Sequence, residues 1–262
     1  GEHTDYTGGL SLPFAIDKYL TLDAIEQDEG YSGAVNVVEL WKAAGGGPAT
    51  LEVSSEIPMG QGLSSSAALC LAVVLCARGR IEPLEACKEA QRIEHEVLNT
   101  PCGLLDQMAM MYAIQGSATL IDFSNFSVES VDIPVDWVFK LVDSGIHRDL
   151  SSTTYSEQSG HQEIHIKEEN ERVRKAITSS PQELGDLLNQ SHASLHLLGV
   201  SLPEMDTQVK LLQSTEGVLG ARMMGGGFGG MILVLVENSE VLPDIEIVES
   251  SGPALIEEIL ES

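Results

Sequence analysis

Pro58-Met59-Gly60-Gln61-Gly62-Leu63-Ser64-Ser65-Ser66-Ala67-Ala68-Leu69 joins two unlike stretches of sequence. Before it, Leu51, Val53 and Ile57 lie on a short run that suits a strand. After it, Ala67 to Cys76 is almost wholly apolar and rich in Ala and Leu, which favour helix. The order is therefore strand, Gly/Ser loop, buried helix. The two glycines let the backbone come close to a ligand. The three serines stand where the first N–H groups of a helix lack an intrahelical partner. Such a helix start, with free donors and the positive end of the dipole, suits an anion. On this segment alone two readings are open: a phosphate cradle, or a serine-capped helix after a glycine turn. The spacing is not that of the P-loop and no Lys closes it, so that motif is excluded.

Composition narrows the function classes. A chain of 262 residues can bury a sizeable core, in two sub-domains. No apolar run approaches the ~20 residues that cross a bilayer. Lys plus Arg number 14 against 40 Asp plus Glu, a formal charge of −26. That surface repels nucleic acid and anionic membranes. An anionic substrate then needs a local device, such as backbone N–H groups or Mg²⁺. Cys70, Cys76, Cys87 and Cys102 show no C-x-x-C pairing, so reduced, mostly buried thiols in a cytoplasmic protein are expected. No signal peptide opens the chain, but a motif is already under way at Gly1. An N-terminal piece is expected to precede it, with any targeting information.

Upstream of the central segment, residues 1–9 read GEHTDYTGG. Glu2, His3, Asp5 and Tyr6 crowd donors and acceptors ahead of a Gly-Gly turn. That suits a polyhydroxylated ligand, although composition alone also fits an exposed polar turn. Leu10 to Leu22 and Val35 to Trp41 read as strands. Downstream, Pro83 opens a helix running to about Leu98. Glu94 near its end reads by pattern as a solvated charge. From Pro101 to Ala113 the chain is apolar at nearly every position except Asp106. A buried, unpaired carboxylate there is costly and is usually kept for function or paired with a cation.

Gly116 to Phe123 reads as a strand and 124–136 as a polar connection. A boundary near residue 136 gives domains 1–136 and 137–262. Trp137 to Val142 is another strand, and helices follow over 157–178, 181–198 and 202–214. His161/His165 and His192/His196 are i, i+4 pairs, but no H-E-x-x-H stands among them and such repeats arise readily on helices. No metal is assigned there. Gly225, Gly227 and Gly230 fit G-x-G-x-x-G, yet the order reads helix, loop, strand. The dinucleotide fingerprint needs a strand before and a helix after, so it is excluded. Such a loop still suits a phosphate or a site wall. The tail reads as strand 245–248, then helix 255–260.

Three of these segments, GEHTDYTGG, PMGQGLSSSAAL and MMGGGFGG, in this order resemble the three signatures of the GHMP small-molecule kinases. GEHTDY followed by LPFAI, and IEHEV…PCGLLDQM with Glu94 and Asp106 twelve residues apart, most resemble the galactokinase branch. The resemblance runs from Gly1 to about Val236. It implies an α/β (α+β) two-domain fold with the active site in the interdomain cleft. It implies transfer of the γ-phosphoryl of ATP to the anomeric hydroxyl of a hexose, galactose by default, with ATP and Mg²⁺ as cofactors. Sugar and ATP are the implied partners, with no nucleic acid and no membrane. Position by position, Asp106 matches the family's catalytic base. Glu2, His3, Asp5 and Tyr155 match sugar contacts. Gly60, Gly62, Leu63, Ser64, Ser65, Ser66 and Ala67 match the phosphate loop. Ser66 and Glu94 match the Mg²⁺ ligands, and Gly226 and Gly227 belong to the third motif's loop. Related kinases of arabinose or N-acetylgalactosamine, and non-catalytic sugar- or ATP-binding regulators on the same fold, stay open beside galactose.

Overall fold

The computed structural model describes residues 1–58, 60–146 and 159–257. A 3-10 turn at Asp5–Thr7 leads to β1 (Leu10–Ser11), β2 (Leu20–Glu26) and β3 (Tyr31–Ser32). Then come α1 (Val35–Ala43), β4 (Ala49–Ser55), α2 (Ser65–Arg78), α3 (Pro83–Leu98) and α4 (Leu105–Met111). The strands β5 (Ser117–Asp122), β6 (Ser127–Asp132) and β7 (Val138–Asp143) precede α5 (Ser159–Ala176), α6 (Pro181–Leu197) and α7 (Pro203–Gln213). The strands β8 (Val218–Met223), β9 (Met231–Val236) and β10 (Ile247–Val248) close the order. The class is α+β, as expected. No described helix is long and apolar enough to cross a membrane.

The described residues fall into two compact units. The first takes them from Gly1–Asp17, Met59–Leu63 and Ile114–Ser251. It holds the antiparallel sheets β1-β5-β6 and β10-β7-β9-β8. Helices α6 and α7 pack on β8, and α5 packs on α6 and β1. Ile232, Val234 and Val236 of β9 join Leu195, Met205 and Val209 in one core, while Leu233 and Leu235 pack with Phe139 on the opposite face. Burial on both faces explains the unbroken apolar run 231–236. Helix α6 comes unusually close to β8: a Cβ at Gly220 would lie 2.2 Å from the Gly185 carbonyl oxygen. The α6 start is fixed by a capping box between Ser180 and Glu183, with Pro at the first turn.

The second unit takes described residues from Lys18–Pro58, Ser64–Ala113 and Gly252–Ser262. It holds the sheet β2-β4-β3 and helices α1 to α4. Helix α2 buries Ala67, Ala68, Cys70, Leu71, Val73, Val74 and Leu75, nearly its whole circumference, as an all-apolar helix requires.

Several local expectations are corrected. Val35–Trp41 is helix, not strand: the buried residues Val37, Leu40, Trp41 and Ala44 recur at helical spacing. The stretch 10–22 is broken into β1 and β2, with Pro13 between them. The polar connection 124–136 contains β6, an exposed strand paired with β5 along its length. Strand β8 runs directly into the glycine loop, so the third motif is the turn of a β8–β9 hairpin. No helix follows it, and the dinucleotide reading stays excluded. Residues 255–257 have no regular structure, and 258–260 lie outside the described residues. The boundary near 136 falls inside the first unit, because β5 and β6 pair with β1 ahead of it.

Candidate active site

The glycine loop turns at Gly60 and Gly62, whose φ values of 72° and 75° lie in the left-handed region that glycine favours. Ser64 follows with φ 58°, and its side chain makes no capping hydrogen bond to α2. The serine-cap reading therefore fails. The bond from Ala68 N to Ser64 O (2.9 Å) closes the first turn. The N–H groups of Ser65, Ser66 and Ala67 precede it, without intrahelical acceptors, at the positive end of a fourteen-residue helix. Leu63, Ser64, Ser65 and Ser66 are half-buried, so the donors stand in a partly sheltered place. Within the first unit the loop is held from the β9 end of the third motif. Met231 N donates to Gln61 O (2.9 Å), and Gln61 Nε2 donates to Asp143 Oδ2 (3.0 Å). A Cβ at Gly230 would approach Gln61 O to 2.6 Å, so that position has no room for a side chain.

In the second unit Glu94 is only 1% exposed, which corrects its reading as a solvated charge. Gln107 Nε2 donates to Glu94 Oε2 (2.9 Å), and the Ser66 hydroxyl and Cys102 side chain lie beside the carboxylate and favour its charged form. Burial pushes the Glu94 carboxyl up; Ser66, Cys102, His95 and Gln107 pull in the other direction without cancelling it. No lysine or arginine of the described residues pairs with it. Gln107 is fully buried and its Oε1 lacks a hydrogen bond among the described residues. A buried carboxylate beside a hydroxyl, with no side-chain cation, is an oxygen donor set that fits Mg²⁺. Asp106 is the neighbour of Gln107 in the first turn of α4. It is half-buried rather than enclosed: α4 turns Gln107, Met108 and Ala109 inward instead.

The first motif lies in the first unit and is clamped by α5. His165 Nε2 hydrogen-bonds Glu2 O (2.9 Å), and Asn170 Oδ1 accepts from Leu10 N (2.7 Å). Thr4 is fully buried, its single hydroxyl hydrogen within reach of the carbonyls of Gly1 (2.8 Å) and Leu10 (3.0 Å). His3 is buried with φ 57°, and its Nδ1 shares a hydrogen bond with the Tyr6 hydroxyl (2.9 Å). Asp5 opens the 3-10 turn, half-buried. Glu2 Oε1 accepts from Arg222 Nη2 (3.0 Å) and Gly225 N (3.3 Å), so the first and third motifs meet. Gly226 is half-buried. Gly227 serves packing: a Cβ there would lie 2.2 Å from Val200 O. Tyr155 lies outside the described residues.

The described histidines of the two pairs make other contacts. His165 hydrogen-bonds Ser194 Oγ (2.8 Å), and His192 and His196 both face Asp206, at 3.2 and 2.6 Å. Among the described residues no group of three His, Cys, Asp or Glu could hold a metal ion. Arg222, Glu169, Ser191, Gln107 and Cys102 are site-associated residues that pattern reading passed over. Two had a visible signal: Gln107 is polar in an otherwise apolar helix, and Arg222 is a cation just before the glycine loop in a chain poor in cations.

The second unit offers an anion cradle, an oxygen pair suited to a metal and a neighbouring carboxylate; the first unit offers a polar loop suited to hydroxyls. The chain is similar to known kinases of small molecules over most of its length. Residues 32–113 match the GHMP kinases N terminal domain, 161–246 the GHMP kinases C terminal domain, and 1–23 the galactokinase galactose-binding signature. A galactokinase of Thermotoga maritima is 33% identical over 299 aligned positions, covering 90% of this chain and 85% of that protein. A Thermococcus kodakarensis galactokinase is 28% identical, covering 92% and 87%. In fold, the galactokinase of Lactococcus lactis, solved in complex with galactose, superposes with a TM-score of 0.82 at 23% identity, covering 97% of this chain and 91% of that one. The Methanococcus jannaschii mevalonate kinase follows with a TM-score of 0.72 at 18% identity, covering 96% and 95%.

Proposed function

Because the chain belongs to the GHMP kinases and, among them, to the galactokinases, we propose that it transfers the γ-phosphoryl of ATP to the anomeric hydroxyl of galactose. The observation that carries the reading is the cluster in the second unit. An uncapped α2 N-terminus, a Ser66–Glu94 oxygen pair and Asp106 stand on adjoining elements of one packed body.

Phosphoryl transfer asks for positioning and charge stabilisation more than covalent chemistry. The N–H groups at the start of α2 receive phosphate oxygens, with Ser64 and Ser65 beside them. Ser66 and Glu94 are the residues to hold Mg²⁺, which when bound neutralises charge developing on the phosphates. Glu2, His3 and Asp5, with Tyr155, bind and orient the sugar hydroxyls. Asp106 accepts the proton of the anomeric hydroxyl as its oxygen bonds to the γ-phosphorus and the bond to the ADP oxygen breaks. Gly226 and Gly227 shape the wall near the sugar loop. On this reading the base, metal ligands and phosphate loop lie between residues 60 and 106, and Tyr155 and the third motif follow them. The four free cysteines fit a cytoplasmic place of action, where ATP is also available.

The test is ADP release from a panel of galactose, arabinose and N-acetylgalactosamine, with and without Mg²⁺. Mg²⁺-dependent release with galactose is expected. Release with another sugar but not galactose would overturn the substrate. Tight ATP binding without release on any sugar would favour the regulator reading and overturn the kinase.

A further inference from the structure

Arg222 sits near the end of β8, one cation in a chain of 14 basic and 40 acidic residues, and its side chain is only 12% exposed. Its Nη2 donates to Glu2 Oε1 (3.0 Å). Its Nη1 donates to Ser191 Oγ (3.2 Å) and lies 3.9 Å from Glu169 Oε1. Glu169 is 1% exposed and is gripped from its other side by Arg172 Nε (2.6 Å), while Ser191 Oγ donates to it (2.7 Å). Charges therefore alternate through the first unit: Glu2, Arg222, Glu169, Arg172. Burial would raise the Glu169 carboxyl, and the Arg222 and Arg172 guanidiniums pull it down. Its negative charge in turn keeps Arg222 in place.

Glu2 is the end of this series. Both donors that reach it, Arg222 Nη2 and Gly225 N, fall on one oxygen, Oε1. Its Oε2 takes no hydrogen bond from the described residues. The carboxylate is thus tied down by one oxygen and offers the other. We infer that Arg222 is a positioning residue for the sugar: it anchors Glu2 by Oε1 so that Oε2 accepts a hydrogen bond from a hydroxyl of the bound galactose. The inference rests on the reading of the chain as a galactose kinase with Glu2 as a sugar contact. Arginine suits the task because its planar fork engages Glu2 with one Nη and Ser191 with the other; a lysine ammonium is a point charge on a flexible stem.

The test compares wild type with E2Q, R222Q, R222K and the E2Q/R222Q double variant. Initial rates are taken with galactose varied at saturating ATP, then with ATP varied, and thermal melts are recorded with and without galactose. R222K keeps a cation opposite the buried Glu169, so it reports even if R222Q does not fold. Arg222 variants should raise the galactose KM by about tenfold, the size of one lost charge-assisted hydrogen bond. The ATP KM should move far less, and galactose should protect these variants less against melting. The double variant should resemble E2Q alone, because the contact is already lost. A folded R222K with the wild-type galactose KM overturns the inference. So does a double variant whose KM effect is the product of the two singles, or an ATP KM that rises in parallel. If wild type itself neither turns over nor binds galactose, both this inference and the functional reading fall. If wild type is active and the variants keep its KM, only this inference falls.

Discussion

Glu94 and Asp106 are carboxylates of the same unit in different surroundings, and the proposed mechanism gives them different work. Glu94 is enclosed by Ser66, Cys102 and Gln107, and burial holds its carboxyl up. Ionisation at neutral pH is then a cost to the folded state, since the unfolded carboxyl ionises more readily. Glu94→Gln should raise the melting temperature of the metal-free protein while weakening Mg²⁺ dependence of turnover. A lower melting temperature with unchanged Mg²⁺ dependence would contradict both parts. In wild type the Mg²⁺ concentration for half-maximal rate should climb as pH falls through a range above the ordinary carboxylate one. Asp106 was legible because a charge stood alone in an apolar run. Glu94 was not, because periodicity on α3 cannot report that Cys102 and Gln107 arrive over it from the following loop and α4.

At the scale of elements, long apolar or well-punctuated segments were read correctly and short mixed ones were not. Helices α2, α3, α6 and α7 carry either an unbroken apolar run or a proline start, and both signals act locally. Helix α1 carries Val35, Val37 and Val38, whose branching favours strand, and only its packing decides for helix. Strand β6 is mostly exposed and polar, so no apolar alternation marks it; its pairing with β5 makes it a strand. The α5–α6 pair carries a prediction of its own. His165 of α5 and His192 of α6 are both buried, and burial lowers both imidazoles. Glu169 raises and Arg172 lowers His165; Asp206 raises His192, while His196 and Arg222 lower it. An unfolded histidine titrates near about 6.5, so below that pH the unfolded chain takes up protons that the folded one refuses. Stability should fall as pH drops from about 7.5 to 5.5, and His165→Gln and His192→Gln should each flatten that slope. Urea midpoints across this range check it, and an unchanged slope in both variants would contradict it. His165 also bonds Glu2 O, so loosening there reaches the sugar loop.

For the whole molecule the formal charge of −26 poses the question of how an ATP enzyme gathers phosphates. The segment 58–69 holds no Lys or Arg, so the proposed answer is backbone N–H groups and a helix dipole, with oxygen ligands for Mg²⁺. That proposal starts from the three motifs and their order. The interleaving of sequence segments within the two packed units was not, because it depends on pairings such as β1 with β5 that no local pattern announces. On the proposed mechanism this chain makes galactose 1-phosphate with Asp106 as the base. The direct measurement is phosphorus NMR of product formed from galactose, ATP and Mg²⁺ by wild type and Asp106→Asn side by side. An anomeric phosphomonoester and stoichiometric ADP are expected from wild type, with the rate of the variant reduced by about 10²–10⁴-fold and its ATP affinity retained. A folded Asp106→Asn that forms the same product at the wild-type rate would contradict it.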